Sequence, residues 1–264
     1  MNVVCVQLDC VWENKQANHE KVARLLDAAQ PKKDSLVVLP EMFASGFSMN
    51  VPAVTDSGAN ESYNFLAQMA QSYGVYLMAG IVTTDASGKG RNESVTFAPD
   101  GTELARYCKL HPFTLGGELD NYVKGEDVVT FNLHGFVIAP FICYDLRFPE
   151  AFRAATVRGA NVIAVIASWP KTRHHHWVKL LHARAIENEA YVIGVNRCGW
   201  DPKLEHAGGS VIIDPQGNAI ADAGNGEGTI TAELQLAELL NYREKLPFLA
   251  DIRRDFLAPG RERG

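Results

Sequence analysis

The chain has 264 residues, 47% of them hydrophobic, and carries a formal net charge of −6. That length and composition allow a sizeable core, while the acidic balance argues against a general binder of phosphate backbones, whose affinity comes from clustered Lys and Arg. The longest apolar runs, such as VIAVIA at 162–167, fall far short of the roughly 20 residues a membrane span requires.

The opening MNVVCVQLDC lacks a basic region and contains Asp9, so it reads as a strand and not as a secretory leader, which places the protein in the cytoplasm. This first strand covers Val3 to Leu8, and Val22, Leu25, Leu26 and Ala29 then recur on one face of a helix that Pro31 ends. SLVVLP at 35–40 is a continuous apolar run, as in a strand covered on both sides, with Glu41 directly after it. A second helix near Glu61 to Tyr73 stops at Gly74, and VYLMAGIV, NESVTFA and ELARYCK follow as strands of a meander.

The same schedule then returns. FVIAPFI leads to Cys143, a helix runs from Pro149 to Arg158, and NVIAVIA is another buried strand. A helix near His175 to Asn188 precedes the strands YVIGVN, GSVIIDP, AIADA and GTITAEL, and a last helix covers Leu236 to Arg243. Two halves of this kind predict two comparable sheets packed face to face with helices outside. No linker, charge block or low-complexity stretch divides the chain, so residues 1–264 read as a single domain.

Glu41, Lys109 and Cys143 each follow a predicted strand, where α/β proteins collect reactive groups. Cys143, at a strand-to-helix elbow, suits a nucleophile served by nearby backbone N–H groups, although most free cysteines simply pack in cores. Lys109 could stabilise an oxyanion or be a solvated surface charge. Glu41 could serve as a proton carrier or pair with a cation at the surface, and Glu118 offers a second carboxylate on the following loop. His111 is either a base for Cys143 or part of a rigid turn with Pro112. Cys108 points away from the face of Tyr107 and Lys109 and reads as packing.

Two further features favour plain structural readings. The run His174, His175 and His176 invites a metal, but adjacent helical residues diverge by about 100°, so the run reads as a packed helix start anchored by Trp177. Arg184 shares a face with Leu180 and Leu181 and is expected to be buried and paired with Glu187. The cysteines at 5, 10, 108, 143 and 198 form neither a disulfide framework nor a CxxC zinc motif.

Taken together, VVLPEMFASGF around Glu41, YCKLHPF around Lys109 and FICYDLRFPE around Cys143 resemble the signature segments of the nitrilase superfamily of carbon–nitrogen hydrolases, in the same order. The likeness extends through ASWP, HHHWVKLLHARAIENEAYVIGVNR and SVIIDPQG, and is nearest to the ω-amidase subgroup. It implies an α-β-β-α sandwich that dimerises through its helical faces and needs no metal or organic cofactor. It also implies Cys143 as nucleophile, Glu41 as general base, Lys109 as oxyanion stabiliser, Glu118 as supporting glutamate and the Tyr144 N–H as a second oxyanion donor.

The implied substrate is a small dicarboxylic monoamide, cleaved to acid and ammonia through a thioester, with Arg147, Arg173 and Arg197 as candidates for its distal carboxylate. Cys143-Tyr144-Asp145 departs from the Cys-Trp-Glu of true nitrilases and argues against nitrile substrates. Two alternatives remain open: hydrolysis of other amides such as N-carbamoyl amines or deaminated glutathione, and a non-catalytic binding or redox-sensing module.

Overall fold

The apolar runs fold into two six-stranded sheets in the computed structural model, which describes residues 1–56 and 60–256. The first half of the chain supplies β1 (Asn2–Gln7), β2 (Leu36–Val38), β3 (Tyr76–Thr84), β4 (Gly90–Phe97) and β5 (Glu103–Cys108). The second supplies β6 (Phe131–Leu133), β7 (Phe136–Ile142), β8 (Val162–Ala167) and β9 (Tyr191–Asn196). There follow the small pair β10 (Cys198–Trp200) and β11 (Glu205–Ala207), then β12 (Val211–Ile213), β13 (Ala219–Asp222) and β14 (Gly228–Glu233). The strands are ordered β14-β1-β2-β3-β4-β5 in one sheet and β13-β12-β9-β8-β7-β6 in the other.

Both sheets are mixed. Their centres are parallel, β1 with β2 and β3, and β7 with β8 and β9, while the outer strands pair antiparallel. Parallel strands need cover on both faces, which is why LVV and VIAVIA are apolar without alternation and buried throughout. One face of the first sheet, with Val4, Val6, Val37, Leu39 and Leu77, packs on Val22 and Leu26 of α1 (Lys15–Ala29). After a short helix α2 (Val51–Val54), α3 (Glu61–Tyr73) adds Leu66 and Ala70 to the same layer.

The alternate residues Val3, Cys5, Leu36, Val38 and Met78 face inward and meet Ile138, Phe141 and Val165 of the second sheet. A one-turn helix α4 (Glu118–Asn121) lies in the loop after β5. On the far side, α5 (Pro149–Val157) and α6 (His174–Asn188) cover the second sheet with Phe152, Trp177 and Leu181. The result is the expected α-β-β-α sandwich. Arg184 is buried as anticipated, bonding Glu187 at 2.8 Å and the Leu146 carbonyl at 2.6 Å. No helix among the described residues is long and apolar enough to cross a membrane.

The simple division into two halves fails at the GTITAEL strand. β14 leaves the second sheet and pairs antiparallel with β1, Asn2 opposite Glu233, and the terminal amine donates to the Leu234 carbonyl at 2.7 Å. Propensity could not reveal this, because strand pairing across the whole chain is a tertiary choice. Helix α7 (Leu236–Lys245) then runs a turn's fraction beyond its predicted end.

One glycine fixes where Glu41 stands. The segment after β2 lies directly on β3: Gly80 N–H donates to the Pro40 carbonyl and Phe43 N–H to the Gly80 carbonyl, both at 3.1 Å. A Cβ at position 80 would lie 2.6 Å from both the Glu41 Cα and the Met42 nitrogen. Backbone cannot yield as a flexible side chain can, so Gly80→Ala is expected to cost about 1–3 kcal/mol through overpacking. Urea denaturation measures this, and an unchanged midpoint would contradict the packing account.

Candidate active site

Three strand ends converge at one end of the sandwich. Glu41 follows β2, Lys109 follows β5, and Cys143 follows β7. At Cys143 the chain enters a tight turn, Cys143–Arg147, with φ at +46°, a left-handed conformation uncommon outside glycine. Asp145 holds this turn from beneath. Its buried carboxylate accepts from the Ile142 N–H at 3.0 Å, the Tyr107 hydroxyl at 2.7 Å and the His111 N–H at 2.9 Å.

Lys109 is the hub of the cluster. Its Nζ donates to Glu41 Oε1 at 2.9 Å and to both oxygens of Glu118 at 2.8 and 3.1 Å. All three side chains are buried. The remaining carboxylate capacity is also used: the Ser168 N–H donates to Glu41 Oε2 at 2.8 Å, and the Phe113 N–H to Glu118 Oε2 at 2.5 Å. Asn92 of β4 ties the two acids together, donating through Nδ2 to Glu41 Oε1 at 2.7 Å and Glu118 Oε1 at 2.9 Å. Its backbone carbonyl accepts from the Lys109 N–H at 2.9 Å, which sets the height of the lysine.

Asn92 was not singled out from the sequence. Its signal was an amide facing inward from the middle of a strand, where Asn is disfavoured. Ser168 contributes through its backbone, which no residue pattern discloses.

Electrostatics follow from the count of charges. Burial opposes the Lys109 ammonium, but Glu118 and Glu41 outweigh it and hold the group well above the usual lysine range. Burial, joined by the Glu41 and Glu118 charges, pushes the Cys143 thiol well above its ordinary value, with Lys109 and the Ser168 N–H pulling the other way. Two carboxylates and one ammonium already sum to a negative site, so a resting thiolate would add a second uncompensated charge. Cys143 therefore rests as a thiol.

Cys143 is half-buried and opens on a cavity of about 500 Å³. Trp12, Phe47, Met49, Phe113, Tyr144 and Trp169 give its wall an apolar character, and Arg147 and Arg173 line it as well. Arg197 does not. It is fully buried, donating to the carbonyls of Cys10 and Trp200 at 3.0 Å and of Cys198 at 3.2 Å, so its place is that of an internal tie between chain segments.

The neighbours of Lys109 also find their places. His111 pairs through Nδ1 with Asp145 at 2.9 Å and stacks on Phe148 with 3.9 Å between ring centres, so it belongs to the support of the turn. Cys108 lies at the end of β5, where burial pushes its thiol up to about 11. His176 Nδ1 accepts from Arg147 at 3.3 Å, and no group of three or more His, Cys, Asp or Glu placed to hold a metal occurs among the described residues.

Comparison with known proteins identifies the family of the chain. The family model of carbon–nitrogen hydrolases matches residues 2–244. Over 254 residues the chain is 35% identical to the 2-oxoglutaramate amidase of Bacillus subtilis, covering 96% of this chain and 98% of that protein. It is 36% identical over 253 residues to an omega-amidase of Escherichia coli, covering 95% and 96% of the two chains. A solved carbon–nitrogen hydrolase superfamily protein of Xanthomonas campestris, with an arsenic adduct in its active site, superposes with a TM-score of 0.88 at 29% identity, over 96% of this chain and 97% of that one. The chain belongs to the carbon–nitrogen hydrolase family, and the resemblance carried by the three signature segments is borne out.

A raised thiol pKa has a measurable sign. Thiolate is the minor form at neutral pH and grows as pH rises, so alkylation of Cys143 by a small neutral reagent should accelerate about tenfold per unit between about pH 6 and pH 9. Peptide mapping separates Cys143 from the other cysteines. A plateau below about pH 8 would mean that the thiolate is already formed at rest.

Proposed function

We propose that the protein is a cysteine-dependent amidase that hydrolyses the terminal amide of a small dicarboxylic monoamide, of the 2-oxoglutaramate kind, to acid and ammonia. The observation that carries this reading is the closed Glu41–Lys109–Glu118 cluster, buried beside a thiol that opens on a substrate-sized cavity. The names of the amidases it resembles support the substrate class.

The chemistry follows from the groups present. Glu41 takes the proton of the Cys143 thiol as sulfur attacks the amide carbon, and the carbonyl electron pair moves to oxygen. The Lys109 ammonium and the Tyr144 N–H stabilise that oxyanion. Glu118 holds the lysine from its other side, so the ammonium is in place before charge develops. The tetrahedral intermediate collapses with cleavage of carbon–nitrogen, Glu41 delivers its proton to the leaving nitrogen, and ammonia departs.

A thioester on Cys143 remains. Glu41, again a carboxylate, removes a proton from water as the oxygen attacks the thioester, and a second oxyanion forms over the same donors. Cleavage of carbon–sulfur releases the acid, and the proton held by Glu41 returns to sulfur. Because the resting nucleophile is a thiol, proton transfer and attack are coupled, and each proton taken is given back within the cycle.

Ammonia release from a substrate panel tests the reading. Succinamate and 2-oxoglutaramate should be turned over while N-carbamoyl amines are not, and turnover of carbamoyl compounds alone would assign another reaction of the family. Cys143→Ala is expected to lower kcat by at least about 10³-fold, whereas Cys108→Ala keeps most of it. Equal losses in both variants would overturn the assignment of the nucleophile. Acid quenching during turnover should trap an acyl adduct visible by mass, and its absence together with absence of product would favour a binding module.

A further inference from the structure

We propose that Arg173 anchors the distal carboxylate of the substrate and so determines specificity, an inference that rests on the amidase reading above. The cavity lining carries more basic than acidic groups. Its basic residues are Arg147, Arg173 and Lys203, and its single acidic lining residue, Asp201, is already engaged. Asp201 pairs with His206 Nε2 at 2.9 Å and accepts from the N–H groups of Lys203 and Leu204, each at 2.7 Å. Among the described residues no salt bridge ties Arg147, Arg173 or Lys203 to a carboxylate, and a lining with an excess of cations favours an anionic ligand.

The candidate arginines differ in how far their surroundings occupy them. Arg197 is enclosed by carbonyls and lies outside the cavity lining. Arg147 is held twice, with its guanidinium 4.8 Å from the Trp169 ring and Nη2 donating to His176 Nδ1. Lys203 is exposed and offers a hydrated point charge with no planar fork. Arg173 is half-buried, rests 5.6 Å from the centre of the Phe113 ring, and forms no salt bridge among the described residues.

Its backbone, in contrast, is fixed. The Arg173 carbonyl accepts from Trp169 Nε1 at 2.8 Å, and its N–H donates to the Pro170 carbonyl at 3.1 Å. The ring against which the guanidinium lies belongs to the residue whose N–H holds Glu118. Phe113 thus touches both the guanidinium and the buried acid cluster. A planar, doubly donating group that lines the same cavity as Cys143 suits the carboxylate at the far end of a short monoamide.

The test compares succinamate with butanamide, which has similar length and a neutral end. The wild-type protein should favour succinamate, and Arg173→Gln should reduce the ratio of the two kcat/KM values by about 10- to 100-fold, mostly through KM for succinamate. Arg173→Lys should retain an intermediate ratio, and its thermal unfolding reports whether the turn stays folded. Three results would overturn the proposal: equal losses on both amides in the two variants, an undiminished ratio in Arg173→Gln, or collapse of the ratio in Arg147→Gln instead. Lack of any wild-type preference for succinamate would also overturn it, while Cys143-dependent release of ammonia from butanamide would leave the amidase reading standing.

Discussion

A single ammonium between two carboxylates, all three withdrawn from water, constrains everything around it. The Lys109 ammonium lies 2.9 Å from Glu41 and 2.8 Å from Glu118, and these two neighbours hold it charged against its burial. Desolvation of such a group is expensive and mutual attraction need not repay it, so the cluster is weak evidence for stability. It is better understood as a polar network in which every carboxylate oxygen accepts a hydrogen bond, with the Asn92 amide, the Ser168 N–H and the Phe113 N–H adding to Lys109.

The sandwich makes this network possible by delivering its parts from different directions. β2, β4, β5 and β7 each end or pass at the same rim, and the layers between them are packed with aliphatic and aromatic side chains. Strand β4 carries the amide, the acid and the ammonium stand just beyond β2 and β5, and the thiol sits on a turn in an unusual backbone conformation. Asp145 supports that turn and reaches back to the segment containing His111, so the Cys143 turn and the lysine loop share one brace. Displacement of either would be felt by the other.

Much of this was legible in the residues. Apolar runs without alternation marked buried strands, and the carboxylate, ammonium and thiol after three of them marked the candidate site. Periodicity also placed Arg184 inside. What could not be read were relations that depend on tertiary geometry. The inward Asn92, the backbone donor at Ser168, the caging of Arg197 and the transfer of β14 to the opposite sheet all depend on which segments become neighbours. His111 shows the same limit, since its choice between Cys143 and Asp145 is made by a partner distant in sequence.

The pairing of β14 with β1 also bears on how the molecule assembles. Asn2 waits for Glu233, and the edge of the first sheet stays open until nearly all of the intervening chain exists. Contacts of such sequence separation carry a large closure entropy and form slowly. During synthesis on the ribosome, β1 therefore emerges as an uncovered hydrophobic edge long before its mate, a period in which a chaperone or a transient pairing has most to offer.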